Sequence, residues 1–221
     1  MVDARPGRVR LAEHPFYPGG GGQLPDRGAL SWSGGAAGIT GFAVEDGAMW
    51  LELASAVVLD GAVECAVDPE FRRLMRALHT DLHIVNAVVY RAFDGALVTG
   101  VQMNADGTAR IDFDLTGTDN DRLRALEGAI NDAIRQDLPV RTAYMELAEA
   151  EAEPGLLRSR SVAPPPTEDG KIRVVEIAGL DRQACGGTHA PSTGYSPPLR
   201  ILKIENKGKH NRRLRVGLDG F

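Results

Sequence analysis

Residues 68–93, DPEFRRLMRALHTDLHIVNAVVYRAF, carry the strongest structural signal in this chain. Apolar side chains recur there every three or four residues, which is the period of an α-helix buried along one face. Asp68 and Pro69 form a helix-start signature, because aspartate caps well and proline fits the first helical position. The stretch therefore predicts a long amphipathic helix over about Pro69 to Phe93. Its apolar positions are Phe71, Leu74, Met75, Leu78, Leu82, Val85 and Val89.

Two histidines stand in the middle of this predicted helix, at positions 79 and 83. Residues four apart lie one turn apart on the same helix face, so both imidazoles point in the same direction. Such a pair is suited to holding a metal ion. Taken alone, it also fits two polar side chains on the flank of a helix.

A second pair lies further along, in Cys185-Gly-Gly-Thr-His189. The two glycines let the backbone turn tightly enough for the thiol and the imidazole to face one point. A lone cysteine is more often a small buried apolar residue, but the two pairs together favour a metal site. Three nitrogens and one sulfur suit tetrahedral Zn²⁺. We therefore expect zinc to be held by His79, His83, Cys185 and His189.

The segment before the helix has a different character. It is rich in glycine, with short β-favouring runs separated by turn signals about every 8 to 12 residues, a pattern typical of a small barrel or sandwich. We expect a β-barrel-like domain over 1–66. The remaining residues, 67–221, are expected to form a two-layer α/β domain with a mainly antiparallel sheet. The expected fold class is therefore α+β.

Three further elements follow the long helix in the sequence. Extended runs on either side of Asn104-Ala-Asp-Gly107 predict a hairpin. A second helix is predicted from Asp119 to about Asp137, where Leu138-Pro139 stops it. The apolar run from Ile172 to Ile177 fits a buried strand.

Composition limits the class of protein. The chain has 221 residues, a net charge of -5 and only two cysteines. No apolar run approaches the roughly 18 residues of a membrane span, and no apolar leader precedes the cysteines, so we expect a cytoplasmic protein with reduced thiols. The acidic total disfavours binding of nucleic acid by bulk charge.

The C-terminal segment is basic, in contrast to the rest of the chain. Phosphates of a nucleic-acid backbone are natural partners for such a segment, although a solvated charged surface needs no ligand. The candidate phosphate contacts are Lys203, Lys207, Lys209, Arg212 and Arg213.

The two histidine-containing motifs together resemble a known family. His79-x-x-x-His83 followed by Cys185-Gly-Gly-Thr-His189 is similar to the editing domain shared by alanyl-tRNA synthetases, freestanding alanyl-tRNA editing proteins and threonyl-tRNA synthetases. Asp81, Leu82 and Asn86 depart from the usual pattern around the helix histidines. Further stretches resemble the alanyl branch: Phe16-Tyr-Pro-Gly-Gly-Gly-Gly-Gln23, Asp26-Arg-Gly28, Arg110-Ile-Asp-Phe-Asp114 and Glu205-Asn-Lys-Gly208.

The resemblance implies a zinc-dependent deacylase whose editing domain covers 67–221. Its substrate would be the alanine tRNA wrongly esterified with serine, or with glycine as a second candidate, and the alanyl ester would be spared. Because the motifs occupy the chain and leave no room for an aminoacylation core, we expect action in trans. The substrate pocket implied by the resemblance is formed by Gly20, Gly21, Gly22, Gln23, Gln102 and Thr188.

Two other functions fit the same residues. The chain could be a non-catalytic tRNA- or nucleotide-binding module with a structural zinc, or a zinc hydrolase for another ester or amide. The sequence also leaves open whether zinc activates water or orders the site, and it identifies no general base.

Overall fold

The computed structural model describes residues 2–117, 119–157, 164, 166–167 and 169–220. Those residues form a mixed α/β structure in which every described strand pairing is antiparallel. The chain divides into two compact units. One contains Met1–Gly20 and Leu24–Arg73, and the other contains Gly21–Gln23 and Leu74–Phe221.

The first unit is built on a six-stranded sheet of order β1-β2-β5-β4-β3-β6. The described pairings end at β1 and at β6, so closure into a barrel stays a prediction. The strands are β1 (Asp3–Arg5), β2 (Arg8–Arg10), β3 (Gly28–Trp32), β4 (Gly35–Glu45), β5 (Ala48–Leu53) and β6 (Glu64–Val67).

The first unit contains an ion pair between the buried Asp26 and Arg72. The Asp26 side chain is inaccessible to solvent and accepts a 2.8 Å hydrogen bond from Arg72 Nε. The apolar core of the same unit includes Leu30 and Leu51, both fully buried. A carboxylate in such surroundings needs a cation, because burial without one is costly. The Asp26-Arg-Gly28 stretch thus has a structural role.

The helix α1, Pro69–Ala92, is 24 residues long. Asp68 Oδ1 caps it by accepting from the backbone N–H groups of Glu70 and Phe71 at 3.1 and 3.0 Å. The boundary between the two units falls inside this helix, after Arg73. Residues 77–87 are buried on every side of the helix, including positions the amphipathic pattern would expose.

The second unit contains two further antiparallel sheets, of order β12-β13-β8-β7 and β11-β10-β9. Their strands are β7 (Val98–Met103), β8 (Thr108–Asp114), β9 (Val140–Glu146), β10 (Lys171–Ile177), β11 (Asp181–Ala184), β12 (Leu199–Lys207) and β13 (Asn211–Leu218). The short helices are α2 (Asn120–Arg124), α3 (Glu127–Arg135) and α4 (Leu147–Ala152), with a 3-10 turn at Thr193–Tyr195.

The structure confirms the predicted hairpin and divides the predicted second helix. Asn104 N donates to Thr108 O at 2.9 Å and joins β7 to β8. The helix expected from Asp119 to Asp137 is instead two helices, because Leu126 N bonds Leu123 O, three residues back, rather than continuing the α-helical ladder. No helix among the described residues is long and apolar enough to cross a bilayer.

Candidate metal centre

The four residues expected to bind zinc meet in the second unit. His79 and His83 come from α1, and Cys185 and His189 come from the loop after β11. Their candidate ligand atoms all lie within 4.8 Å of one another. Cys185 Sγ is 3.3 Å from His79 Nε2 and 3.4 Å from His189 Nε2. The group therefore has the composition and the convergence of a metal site.

The Cys185–His189 loop is tied to the adjacent strand β10. Cys185 N donates to Arg173 O at 3.0 Å. The Arg173 guanidinium returns two bonds from Nη1, to Cys185 O at 2.7 Å and to Gly187 O at 2.9 Å. The Arg173 side chain thus binds two backbone carbonyls of the loop.

Gly187 allows the loop to pass against the ring of His79. A Cβ atom at position 187 would lie 2.1 Å from His79 Cε1 and 2.8 Å from Gln23 Oε1. Neither distance is compatible with a side chain. The second glycine of the motif is therefore required by close approach to the ligand on α1.

Each imidazole has one ring nitrogen held by a side chain outside the cluster. His79 Nδ1 lies 2.8 Å from Gln23 Oε1, His83 Nδ1 lies 3.0 Å from Asp181 Oδ2, and His189 Nδ1 lies 3.2 Å from Thr80 Oγ1. A histidine ligand coordinates through one nitrogen and commonly donates from the other. The three rings share one arrangement, in which Nδ1 is bonded outward and Nε2 is left for the centre.

The electrostatics of the cluster favour a thiolate at Cys185. Burial alone would raise the pKa of this thiol, but the charge of His79 and hydrogen bonds from the three imidazoles hold it well below its ordinary value. Burial lowers the pKa of His189 to about 3, with the neighbouring His79 charge acting in the same direction. For His83, burial is outweighed by Asp181 and Cys185, which raise its pKa to about 10.

These properties fit a zinc ion. Thiolate is the sulfur form that binds metals, and a three-nitrogen, one-sulfur set is typical of tetrahedral zinc. His79 and His83 are buried, and Cys185 and His189 are partly buried. His79, His83, Cys185 and His189 could hold the ion.

Gln23 joins the glycine-rich segment to this centre. Its Oε1 accepts from His79 Nδ1 at 2.8 Å and from Thr188 N at 3.0 Å, while its Nε2 donates to Thr188 Oγ1 at 2.8 Å. The structure thus brings together two residues expected to border the substrate. Both are polar groups at the edge of the cluster.

Gly22 seats the segment that carries Gln23 on strand β7. Gly22 O accepts from Met103 N at 2.8 Å, and a Cβ atom at position 22 would lie 2.5 Å from Val101 O. Its φ of +83° is also unfavourable for any other residue. Gly21 belongs to the same unit, whereas Gly20 belongs to the first unit, where its carbonyl accepts from the Tyr17 hydroxyl at 2.9 Å.

Gln102 makes no described hydrogen bond to the metal ligands or to the residues that hold them. It is exposed on β7, and its Oε1 accepts from Arg110 Nε at 3.2 Å. None of its described hydrogen bonds reaches the cluster. A role in substrate binding therefore stays a prediction for Gln102.

Strands β12 and β13 and the turn between them form the C-terminal hairpin, whose basic residues differ in exposure and in pairing. Lys207 and Lys209 are exposed. Lys203 pairs with Glu205 at 3.2 Å, and Arg213 makes two 2.7 Å bonds to Asp112.

Arg212 differs from them in its position on the strand. It is buried on the same face of β13 as Leu214 and Val216, because alternate strand residues point to the same side. Lys207 and Lys209 are thus open to solvent and Arg212 is not, while phosphate contact by any of them stays a prediction.

Sequence patterns did not identify several residues that support the cluster. Asp181 bonds His83, and Thr80 bonds His189. Arg173 binds the backbone of the loop that carries Cys185. Asp181 stands four residues before Cys185, and Thr80 directly follows His79. That closeness to the ligands in sequence was the available signal, but it does not specify which atoms meet.

Comparisons with known proteins agree with these features. Residues 172–215 match the family model described as the threonyl and alanyl tRNA synthetase second additional domain. The chain is 36% identical over 193 residues to an alanine–tRNA ligase of Methanopyrus kandleri, covering 86% of this chain. It spans only 21% of that ligase.

Shorter relatives are matched over most of their length. The alanyl-tRNA editing protein AlaX-M of Methanosarcina barkeri is 34% identical, with 93% of this chain and 86% of the relative covered. The protein of the same name from Saccharolobus solfataricus is 33% identical, with the same two coverages. The chain belongs to the family of alanyl-tRNA editing proteins and the related editing domains of alanine–tRNA ligases.

Proposed function

We propose that this protein is a zinc-dependent deacylase that acts in trans on tRNA(Ala) carrying the wrong amino acid. Its main substrate is the serine ester, glycine is the second, and the alanine ester is spared. The observation that carries the proposal is the convergence of His79, His83, Cys185 and His189 within 4.8 Å in a chain of the editing family.

The metal ligands define where the reaction occurs. Zinc held by these four residues would order the site, and it would polarise the ester or activate water only where one of the ligands gave up its position. The protein contributes fixed orientations of the three imidazoles, through hydrogen bonds to Gln23, Thr80 and Asp181. Fixed dipoles of this kind need no reorganisation during the reaction.

Polar groups beside the centre would let this site hydrolyse the serine ester and spare the alanine ester. A synthetase pocket made for alanine rejects serine or glycine weakly, because one methyl or hydroxyl group changes binding by only about 1 to 3 kcal/mol. A second site can instead bind the serine hydroxyl by hydrogen bonds, which alanine leaves unmade at an energetic cost. Thr188, held by Gln23, is the group we assign to this contact, which selects serine and gives glycine no advantage over alanine.

The glycine-rich segment would present its backbone to the aminoacylated end of the tRNA. Gly21 and Gly22 both have positive φ, and Gly22 is fixed against β7. Such backbone exposes N–H and C=O groups without a side chain to block a nucleotide. We keep Gly20 and Gln102 as proposed substrate contacts of lower priority, since neither bonds the cluster.

Contact with tRNA phosphates is assigned to the C-terminal hairpin. Lys207 and Lys209 are exposed there, and Lys203 and Arg213 contribute a partly neutralised charge. Backbone phosphates position a nucleic acid without reading its sequence. We infer that recognition of the alanine tRNA itself involves other groups.

The decisive experiment measures ester hydrolysis on three substrates. Purified, zinc-loaded protein would be incubated with serine, glycine and alanine each esterified to tRNA(Ala), alongside His83→Ala. His210→Ala is the matched control, because His210 is an exposed histidine bonded to Thr116, outside the cluster. We expect rapid loss of the serine ester, sparing of the alanine ester, and activity lost only in His83→Ala.

Two results would contradict the proposal. Zinc binding with no ester loss above the spontaneous rate would support a binding module with a structural metal. Hydrolysis of small free esters at a rate independent of tRNA would support a different zinc hydrolase.

A further inference from the structure

Four buried polar side chains form a chain of hydrogen bonds that ends at His83. Asn86 Nδ2 donates to Gln183 Oε1 at 2.8 Å, Gln183 Nε2 donates to Asp181 Oδ2 at 2.7 Å, and that oxygen also meets His83 Nδ1 at 3.0 Å. Asn86, Asp181 and Gln183 are at most 7% exposed. The chain connects α1 to β11 and back to α1.

The direction of each bond is fixed from the Asp181 end. A carboxylate can only accept hydrogen bonds, so Gln183 must present its NH₂ group to Asp181. Its carbonyl oxygen then faces Asn86, which must donate. Turning the Gln183 amide round would set two oxygens against each other at 2.7 Å. The three residues therefore hold a single arrangement.

The same oxygen of Asp181 determines which nitrogen His83 uses. Because Asp181 Oδ2 accepts, a proton of His83 is held on Nδ1, and Nε2 is the nitrogen that faces the cluster and is left to coordinate a metal. We infer that Asp181, held in place by Gln183 and Asn86, is the positioning residue that presents His83 Nε2 to the metal. This inference rests on the metal centre of the proposed function.

Asn86 donates its hydrogen bond to Gln183 although its own side-chain oxygen is left unpaired in the part of the chain that the structure describes. Its Oδ1 atom is buried and has no hydrogen-bond partner among the described residues. Leaving such an acceptor unpaired costs about 1 to 3 kcal/mol. An apolar residue at position 86 would avoid that cost but could not orient Gln183. The polar side chain is accordingly explained by its donated bond.

Zinc affinity tests the inference without use of the tRNA reaction. The dissociation constant for zinc would be measured by competition with a chromogenic chelator. Removal of an outer hydrogen-bond partner typically weakens metal binding about 10- to 100-fold, and we expect a loss of that size for Asp181→Ala. Asn86→Ala should cause a smaller loss, because Gln183 keeps contact with Asp181 but can rotate.

The double variant tests whether Asn86 affects zinc affinity only through Asp181 or independently of it. If Asn86 acts only through Asp181, Asn86→Ala/Asp181→Ala binds zinc as weakly as Asp181→Ala alone, because the two changes remove one interaction. Losses that multiply would overturn the inference. So would unchanged zinc affinity in Asp181→Ala.

A spectroscopic measurement on zinc-loaded protein checks the orientation of the ring directly. In ¹⁵N-labelled protein, His83 should show a protonated Nδ1 whose proton exchanges slowly with solvent. Asp181→Ala should make that proton exchange quickly, whereas the Nδ1 proton of His79, bonded to Gln23, should stay protected. Equal protection of His83 in parent and variant would contradict the positioning role.

General destabilisation is controlled with a buried polar residue outside the cluster. Thr193 is fully buried and donates to Ala133 O at 2.8 Å. Thr193→Val should lower the free energy of unfolding without changing zinc affinity. Absence of deacylation in every protein, with the expected affinity pattern intact, would reject the proposed function and leave the role of Asp181 standing.

Discussion

Gly187 and His79 are so close that a Cβ atom on the first would lie 2.1 Å from Cε1 of the second. The loop that carries Cys185 and His189 therefore packs directly on the helix that carries the other two ligands. Binding of a metal by all four residues would therefore depend on this contact, which is possible only because residue 187 is a glycine.

Gly187→Ala is expected to weaken zinc binding by about tenfold or more, since it displaces an imidazole ligand. The control is Gly186→Ala, whose Cβ would meet only Pro164 Cβ, at 3.3 Å. Chelator competition on both variants checks the prediction. Equal affinities in the two would show that the turn can move away from His79.

Gly22→Ala should destabilise the protein and weaken zinc binding, because Gln23 would move away from His79. Gly61→Ala is a matched control, with a similar φ of +73° but open space around its Cβ position. It isolates the cost of the backbone angle from the clash with Val101. Denaturant unfolding should show a larger loss for Gly22→Ala, and equal losses would contradict a steric role.

Removal of zinc should expose the Cys185 thiol. In a Cys65→Ser background, which leaves Cys185 as the single cysteine, zinc-loaded protein is expected to resist a thiol reagent. A chelator should make one thiol per chain reactive, and zinc should restore protection. Reactivity that is insensitive to the chelator would exclude Cys185 as a ligand.

Zinc should also stabilise the folded state by mass action. At a free concentration about 1,000-fold above its dissociation constant, the expected gain in the free energy of unfolding is about 4 kcal/mol. Calorimetry across a zinc titration measures it. In His83→Ala the gain should shrink markedly, whereas His210→Ala should match the parent.

The lysines of the C-terminal hairpin should affect tRNA binding unequally. Each phosphate contact removed lowers the magnitude of the slope of log affinity against log salt by about 1. Lys207→Ala and Lys209→Ala are expected to show this change, and Lys203→Ala a smaller one because Lys203 pairs with Glu205. A uniform effect of all three substitutions would contradict the assignment.

Core packing of α1 gives a test of the fold itself. Leu78 is fully buried, whereas Leu202 is 55% exposed on β12. Leu78→Ala should lower the free energy of unfolding by about 2 to 5 kcal/mol, and Leu202→Ala by less than about 1. Urea unfolding of both variants measures the difference.

Local sequence signals predicted the elements that depend on local interactions. Asp68 caps α1, and Asn104 closes a hairpin, because in both cases the hydrogen bonds join residues close in sequence. The division of the predicted second helix at Leu126 was not predicted, because the apolar spacing continues across this position. The group of three histidines and one cysteine could be predicted from the sequence, because residue types and their spacing are visible there.

The support around the ligands could not be predicted in the same way. The bond between Asp181 and His83 joins residues 98 positions apart, and that between Gln23 and Thr188 joins residues 165 apart. Such pairs are set by how the chain packs, not by spacing within an element. The basic C-terminal pattern likewise predicted Arg212 as a phosphate contact, whereas the structure buries it on the face of β13 that carries Leu214 and Val216.

The separation of the ligands along the chain has a consequence for biosynthesis. His79 precedes Cys185 by 106 positions, and Asp181 and Arg173, which orient the site, also belong to the later part. A nascent chain that has emerged only as far as α1 holds two of the four donors. A metal held by all four residues could therefore bind only after His189 has emerged, and chains that stop before Cys185 would lack two of the four donors.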